Sequence, residues 1–125
     1  MAVKMDVTIL DAVVRTGTVI AETAIGDDTT TLLITPTKHC SKLVFILTNG
    51  GASYTVDVAK GDFWAGRAMT QITMGGSTKR VFVFEAAESF KWEENAAGTE
   101  SAYRIKITLG AAATTTTTYL CIQLS

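Results

Sequence analysis

The strongest constraint on the fold is the run Tyr103-Arg104-Ile105-Lys106-Ile107-Thr108, in which apolar and polar side chains alternate residue by residue. A period of two fits a pleated strand with one face in a core and the other in water. It predicts Tyr103, Ile105 and Ile107 on the core side, with Arg104, Lys106 and Thr108 in solvent. The same period runs through residues 53–58 and 118–124. In the second of these, Leu120, Ile122 and Leu124 are expected to point inward and Cys121 to lie on the opposite face.

Two further runs, Leu43-Val44-Phe45-Ile46-Leu47 and Val81-Phe82-Val83-Phe84, are apolar on both faces. This suits central strands or strands whose outer face meets another subunit. Additional strands are expected at 7–14, 19–25, 30–35 and 69–74. Glycine and asparagine mark turns at 48–52, 60–62, 74–77 and 109–111, and Asn49-Gly50-Gly51 reads as the closure of a hairpin. Abundant threonine, frequent valine and isoleucine, and one proline, Pro36, favour strands over helices. Residues 85–92 hold the best helix-forming composition, but eight residues support a single turn leading into a strand at 90–92. Residues 93–100 read as a polar, flexible surface loop. Eight or nine short strands so spaced predict an all-β domain, an antiparallel β-sandwich of jelly-roll-like form, with a β-barrel as the other solution.

At 125 residues the chain is the size of one domain with one core, so 1–125 is read as a single β-sandwich domain with 1–6 as an N-terminal arm. Apolar residues form 47% and charged residues 18%, which excludes a disordered chain. A net charge of −1 lacks the basic excess that phosphate-backbone binding uses, so nucleic acid is not an expected partner. No signal-peptide core follows Met1, and the nearly uncharged stretch at 43–54 falls short of the ~20 apolar residues of a membrane helix, so neither secretion nor a membrane is expected. Cys40 and Cys121 match no zinc or redox spacing and are expected as free thiols.

The residues capable of chemistry lack partners in sequence. His39, the one histidine, directly precedes Cys40, and neighbours on an extended segment point to opposite faces, which opposes a nucleophile–base dyad. The carboxylate pairs Asp27-Asp28 and Glu93-Glu94 lack the ligand pattern of a calcium loop, and Gly75-Gly76 lacks Walker spacing and reads as a hairpin turn. The expectation is no enzymatic activity, no catalytic residues, no cofactor and no metal. Trp64, within Phe63-Trp64-Ala65-Gly66-Arg67, is read as either buried or offered to a partner, and Trp92, on one strand face with Phe90, as core.

The blocks Cys40-Ser41-Lys42-Leu43-Val44-Phe45-Ile46-Leu47-Thr48-Asn49, Tyr54-Thr55-Val56-Asp57-Val58-Ala59-Lys60-Gly61-Asp62, Lys79-Arg80-Val81-Phe82 and Glu88-Ser89-Phe90-Lys91 resemble small all-β virion proteins of tailed-phage structural gene clusters. The resemblance covers residues 40–124 and is to head decoration or stabilisation proteins. It implies a non-enzymatic subunit that binds the outer capsid shell and reinforces it, assembled in the host cytoplasm, with the major capsid protein or another virion protein as partner. A homo-oligomer is expected, a trimer before a dimer, because decoration proteins of this kind often sit on local threefold positions. Carbohydrate-binding adhesion modules share the same strand rhythm and form the competing class. The candidate interface comprises Ala2, Val3, Lys4, Met5 and Asp6, as an arm able to add a strand to a neighbour's edge, with Phe63, Trp64 and Arg67 as an aromatic anchor.

Overall fold

The computed structural model describes residues 3–11, 22–25, 29–35, 42–59, 61, 71–85, 90–110 and 117–124. These residues form eleven strands and no helix: β1 (Val3–Asp6), β2 (Leu10–Asp11), β3 (Thr23–Ala24), β4 (Thr29–Ile34), β5 (Lys42–Asn49), β6 (Tyr54–Val58), β7 (Ile72–Met74), β8 (Thr78–Glu85), β9 (Lys91–Glu94), β10 (Ser101–Leu109) and β11 (Thr118–Leu124). The strands make two sheets packed as a sandwich and do not close into a barrel. The first sheet has the order β1-β4-β10-β6-β7, with β9 also on β10; the second has the order β2-β11-β5-β8, with β3 also on β11. Pairing is antiparallel except that β1 runs parallel to β4 and β2 parallel to β11. The chain passes repeatedly from one sheet to the other, as in jelly rolls.

Alternation places the core. From the first sheet Leu32, Ile34, Val56, Val58, Ile105, Ile107 and Leu109 point inward, and from the second Leu43, Phe45, Leu47, Phe82 and Phe84. One continuous cluster of buried side chains joins both sheets. Phe45 is its centre, stacked on Tyr119 with ring centroids 6.0 Å apart and tilted against Phe82 at 6.3 Å.

The facing of β11 is the reverse of the sequence expectation. Its register sets Tyr119, Cys121 and Gln123 opposite Leu47, Phe45 and Leu43, so these three look into the core and Leu120 and Ile122 look outward. Every residue from 119 to 122 is apolar or large, and the choice of face is made by the partner strand β5, whose inward Leu43 and Phe45 stand opposite Phe84 and Phe82 of β8. The polar end of Tyr119 is accommodated because its hydroxyl reaches the Thr8 backbone N–H, which donates to it at 2.9 Å.

Two turns are also reassigned. Residues 49–53 join β5 to β6 and residues 75–77 join β7 to β8, and in each case the flanking strands belong to different sheets. Neither is a hairpin; both are passages over one end of the sandwich. Asn49 fastens the two together. Its side-chain amide donates to the carbonyls of Ala52 at 2.9 Å and Gly75 at 3.2 Å, and its Oδ1 accepts the Gly51 N–H at 3.0 Å. A Cβ on Gly76 would stand 2.8 Å from the Gly51 carbonyl oxygen, so glycine is what lets these loops touch.

Residues 93–100 form no loose loop. Glu93 and Glu94 belong to β9, and Asn95 organises a tight turn in which its backbone N–H donates to Glu100 at 2.8 Å and its Oδ1 accepts from Thr99 at 2.9 Å, with Gly98 at φ 72°. Of the stretch 85–92, expected as a single turn leading into a strand at 90–92, Glu85 closes β8, residues 86–89 lie outside the described residues, and β9 begins at Lys91.

Candidate interaction surfaces

The outer faces of the two sheets differ in kind. On the first sheet the outward register positions hold Lys4, Asp6, Thr55, Asp57, Thr73, Lys106 and Thr108. Apart from Thr31 and Leu33 of β4, which share this face and are buried, it is a polar surface of exposed and half-buried side chains. On the second sheet the cross-strand rows are Ile122–Val44–Val83 and Leu120–Ile46–Val81. Exposure rises along these rows: Leu120 is buried, Ile122, Val44 and Ile46 are half-buried, and Val81 and Val83 are 61% and 62% exposed. The expectation that residues 43–47 and 81–84 are apolar on both faces is met by a central strand, β5, and an edge strand, β8. Together they carry an apolar outer strip.

One end of this strip is pinned by charge. In the adjoining row Thr118 pairs with Thr48 and Thr48 with Lys79, and Glu22, which leads into β3, lies against all three. Its carboxylate meets the Lys79 ammonium at 3.0 Å and accepts hydrogen bonds from Thr118 at 3.1 Å and Thr48 at 3.4 Å. The hydrogen bond from Lys79, followed by that from Thr118, lowers the Glu22 pKa below the ordinary carboxylate value.

A second constellation lies on the first sheet. Glu93 reaches Lys106 on β10 at 3.1 Å and Lys4 on β1 at 3.8 Å. Because β4 runs between β1 and β10, the bridge crosses β4, which accounts for Leu33 being buried on the outward side. Arg104, expected in solvent, is 5% exposed. It donates to the carbonyls of Glu93 at 3.2 Å and Glu100 at 3.3 Å and to the Thr35 hydroxyl. The guanidinium fork thereby ties the β9–β10 ribbon to the end of β4. With the ribbon curled in this way, Tyr103 and Trp92 come out on its other face, 41% and 56% exposed, their rings edge to face at 4.9 Å. The core placements expected for both are thus overturned: residues 101–104 of β10 pair with β9, and both rings are exposed among the described residues.

Of the sequence-derived interface, Val3–Asp6 is strand β1 of the chain's own first sheet. Lys4 contacts Glu93, Met5 packs on the core and Asp6 accepts the Ala96 N–H at 3.1 Å. Ala2, Phe63, Trp64 and Arg67 lie outside the described residues, as do Asp27, Asp28, His39 and Cys40. Glu93 and Glu94, adjacent on a strand, point to opposite faces and form no paired-carboxylate site. Among the described residues no group of three His, Cys, Asp or Glu side chains could hold a metal, and no helix is long and apolar enough to cross a membrane. The fastening roles of Asn49, Glu22 and Arg104 are not read from sequence, which gives Asn49 a hairpin and Arg104 a place in solvent. Asn49 had a signal, an asparagine ahead of two glycines, whereas Glu22 and Arg104 depend on which strands meet.

Cys121 is a free, buried thiol facing the core, and burial pushes its pKa up to about 12 from an ordinary value near 9. In a Cys40→Ser variant, a thiol-selective reagent at neutral pH is expected to leave the native protein unmodified and to titrate one thiol after denaturation. The unfolded thiol ionises near pH 9 while the folded one stays neutral, so this site's contribution to stability is complete below pH 9 and declines as pH rises toward 12. A thiol that reacts at the same rate in native and denatured protein would contradict the core placement.

No family model, curated protein or solved structure matches the chain.

Proposed function

We propose that this chain is a non-enzymatic structural subunit that works through protein–protein contact, and specifically a capsid decoration or stabilisation protein bound to the outer shell of a tailed-phage virion. The observation that carries the contact reading is the contrast between the two outer faces. A free-standing sandwich gains nothing from valines at 61% and 62% exposure on an edge strand, whereas burying such a strip against a protein lattice is favourable by roughly 25 cal/mol per Å². The virion reading adds the sequence resemblance, with the major capsid protein or another virion protein as partner, the capsid surface as location and a homo-oligomer as the bound form.

The test is cosedimentation of the purified protein with empty shells assembled from a tailed-phage major capsid protein, together with detection of the chain in purified particles. Saturable binding to shells is expected, with at least about a tenfold loss when Val81 and Val83 are both replaced by lysine. Absence from particles and from shell pellets would remove the virion reading.

A carbohydrate-binding adhesion module is the second reading, favoured by the exposed Trp92 beside Tyr103, since aromatic rings stack on sugar faces. Glycan binding that disappears in Trp92→Ala, with no binding to shells, would establish it in place of the first.

A further inference from the structure

The outer edge of the second sheet, unpaired among the described residues, has a self-complementary sequence. β8 pairs with β5 along its whole length, from Thr78 opposite Asn49 to Glu85 opposite Lys42, and among the described residues no strand pairs with its other edge. An unpaired eight-residue edge is a template for another strand, and natural proteins ordinarily blunt such edges with charge or bulges. β8 carries Lys79 and Arg80 near its start and Glu85 at its close; Val81 and Val83 lie in step between Lys79 and Glu85, while Arg80 is in step with Phe82 and Phe84 on the other face.

We propose that β8 pairs antiparallel with β8 of a second copy of this chain, about a twofold axis through Phe82, to give a dimer with a continuous sheet. In that register Lys79 stands opposite the second copy's Glu85, Val81 opposite its Val83, and the same pairs recur on the other side of the axis. The charge pattern selects this register. Centring the pair on Val81 sets Lys79 against Val83, centring it on Val83 sets Glu85 against Val81, and a parallel pairing in register sets like charge against like. Lys79 already meets Glu22 at 3.0 Å, yet an ammonium has three donors and its side chain is 57% exposed, so it can serve both carboxylates. The dimer also doubles the apolar strip, setting the two copies' valines side by side. An isologous contact closes after two copies, which favours the dimer over the trimer expected from the resemblance. The inference stands apart from the virion reading, because it concerns the purified chain alone.

Light scattering over a concentration series is expected to give a mass rising to twice the 13.3 kDa of the chain. Lys79→Glu and Glu85→Lys, each of which places two like-charge pairs across the axis, are expected to weaken self-association at least about tenfold, and the double reversal to restore it. Hydrogen exchange of the β8 amides in the unsubstituted protein is expected to slow as concentration passes through the transition, a readout that needs no variant. A monomer at several hundred micromolar, a trimer, a dimer indifferent to both single reversals, or β8 exchange independent of concentration would each overturn the proposal. Failure of shell binding with the dimer intact would leave it standing.

Discussion

Replacing Asn49 with alanine is expected to lower the unfolding free energy by about 3 kcal/mol and the melting temperature by roughly 10 °C. Asn49 is buried and its amide is saturated by groups from two separate chain passages, accepting from Gly51 and donating to Ala52 and Gly75. Alanine would leave one N–H and two carbonyls facing a small void in a place where Gly76 already sits against the Gly51 carbonyl. Those two loops hold the end of the sandwich where β5 passes to β6 and β7 to β8, so the loss is felt by both sheets. Asn49→Asp separates the halves of the amide's role. It keeps an acceptor for Gly51 but presents oxygen to two carbonyl oxygens, and is expected to be at least as damaging as alanine. Denaturant unfolding with unchanged m-value is the measurement, and a loss within about 0.5 kcal/mol would show the loops to be held by something else.

The class of fold was legible because its cause is local. Alternation in residues 54–58 and 105–109 is imposed by the pleat, and these strands form where the pattern puts them, with Val56, Val58, Ile105 and Ile107 inside. What was not legible depends on which strands become neighbours. Residues 119–122 carry no polar–apolar contrast, so their facing came from β5 across the ladder and not from their own sequence. Asn49-Gly50-Gly51 reports a turn but not its destination, and the same residues that close a hairpin also serve to step between sheets. Arg104 and Tyr103 follow the alternation of β10 faithfully, yet their environments are exchanged because residues 101–104 leave β4 and pair with β9, and the guanidinium is enclosed by Glu93, Glu100 and Thr35. Of the surface, the double-sided apolar character of residues 43–47 and 81–84 was visible from the start, and its meaning was set by β8 falling at an edge.

Arg104→Ala is expected to release the β9–β10 ribbon while leaving the sandwich folded. The guanidinium supplies hydrogen bonds to Glu93, Glu100 and Thr35 from a site 5% exposed, and its removal is expected to cost about 2 kcal/mol. That cost is local. Glu100 still accepts from Asn95 and the ladder from Glu94–Ser101 to Lys91–Arg104 persists, so what is lost is the tie between the ribbon and the end of β4. Amide exchange across residues 91–104 should therefore accelerate about tenfold or more while that of β5 and β11 stays near the parent rate. Fluorescence offers a second view, because Trp92 rests edge-on against Tyr103 at 4.9 Å and loosening of the ribbon changes its surroundings. Arg104→Met, which restores the bulk of the side chain without its donors, tells packing from hydrogen bonding. If the fork is what holds the ribbon, methionine recovers at most about half of the lost protection, since a thioether reaches neither carbonyl as a donor. Full recovery by methionine would mean that Arg104 acts through the packing of its stem alone, and parent-like exchange in Arg104→Ala would mean that the Glu93 bridge to Lys4 and Lys106 holds the ribbon by itself.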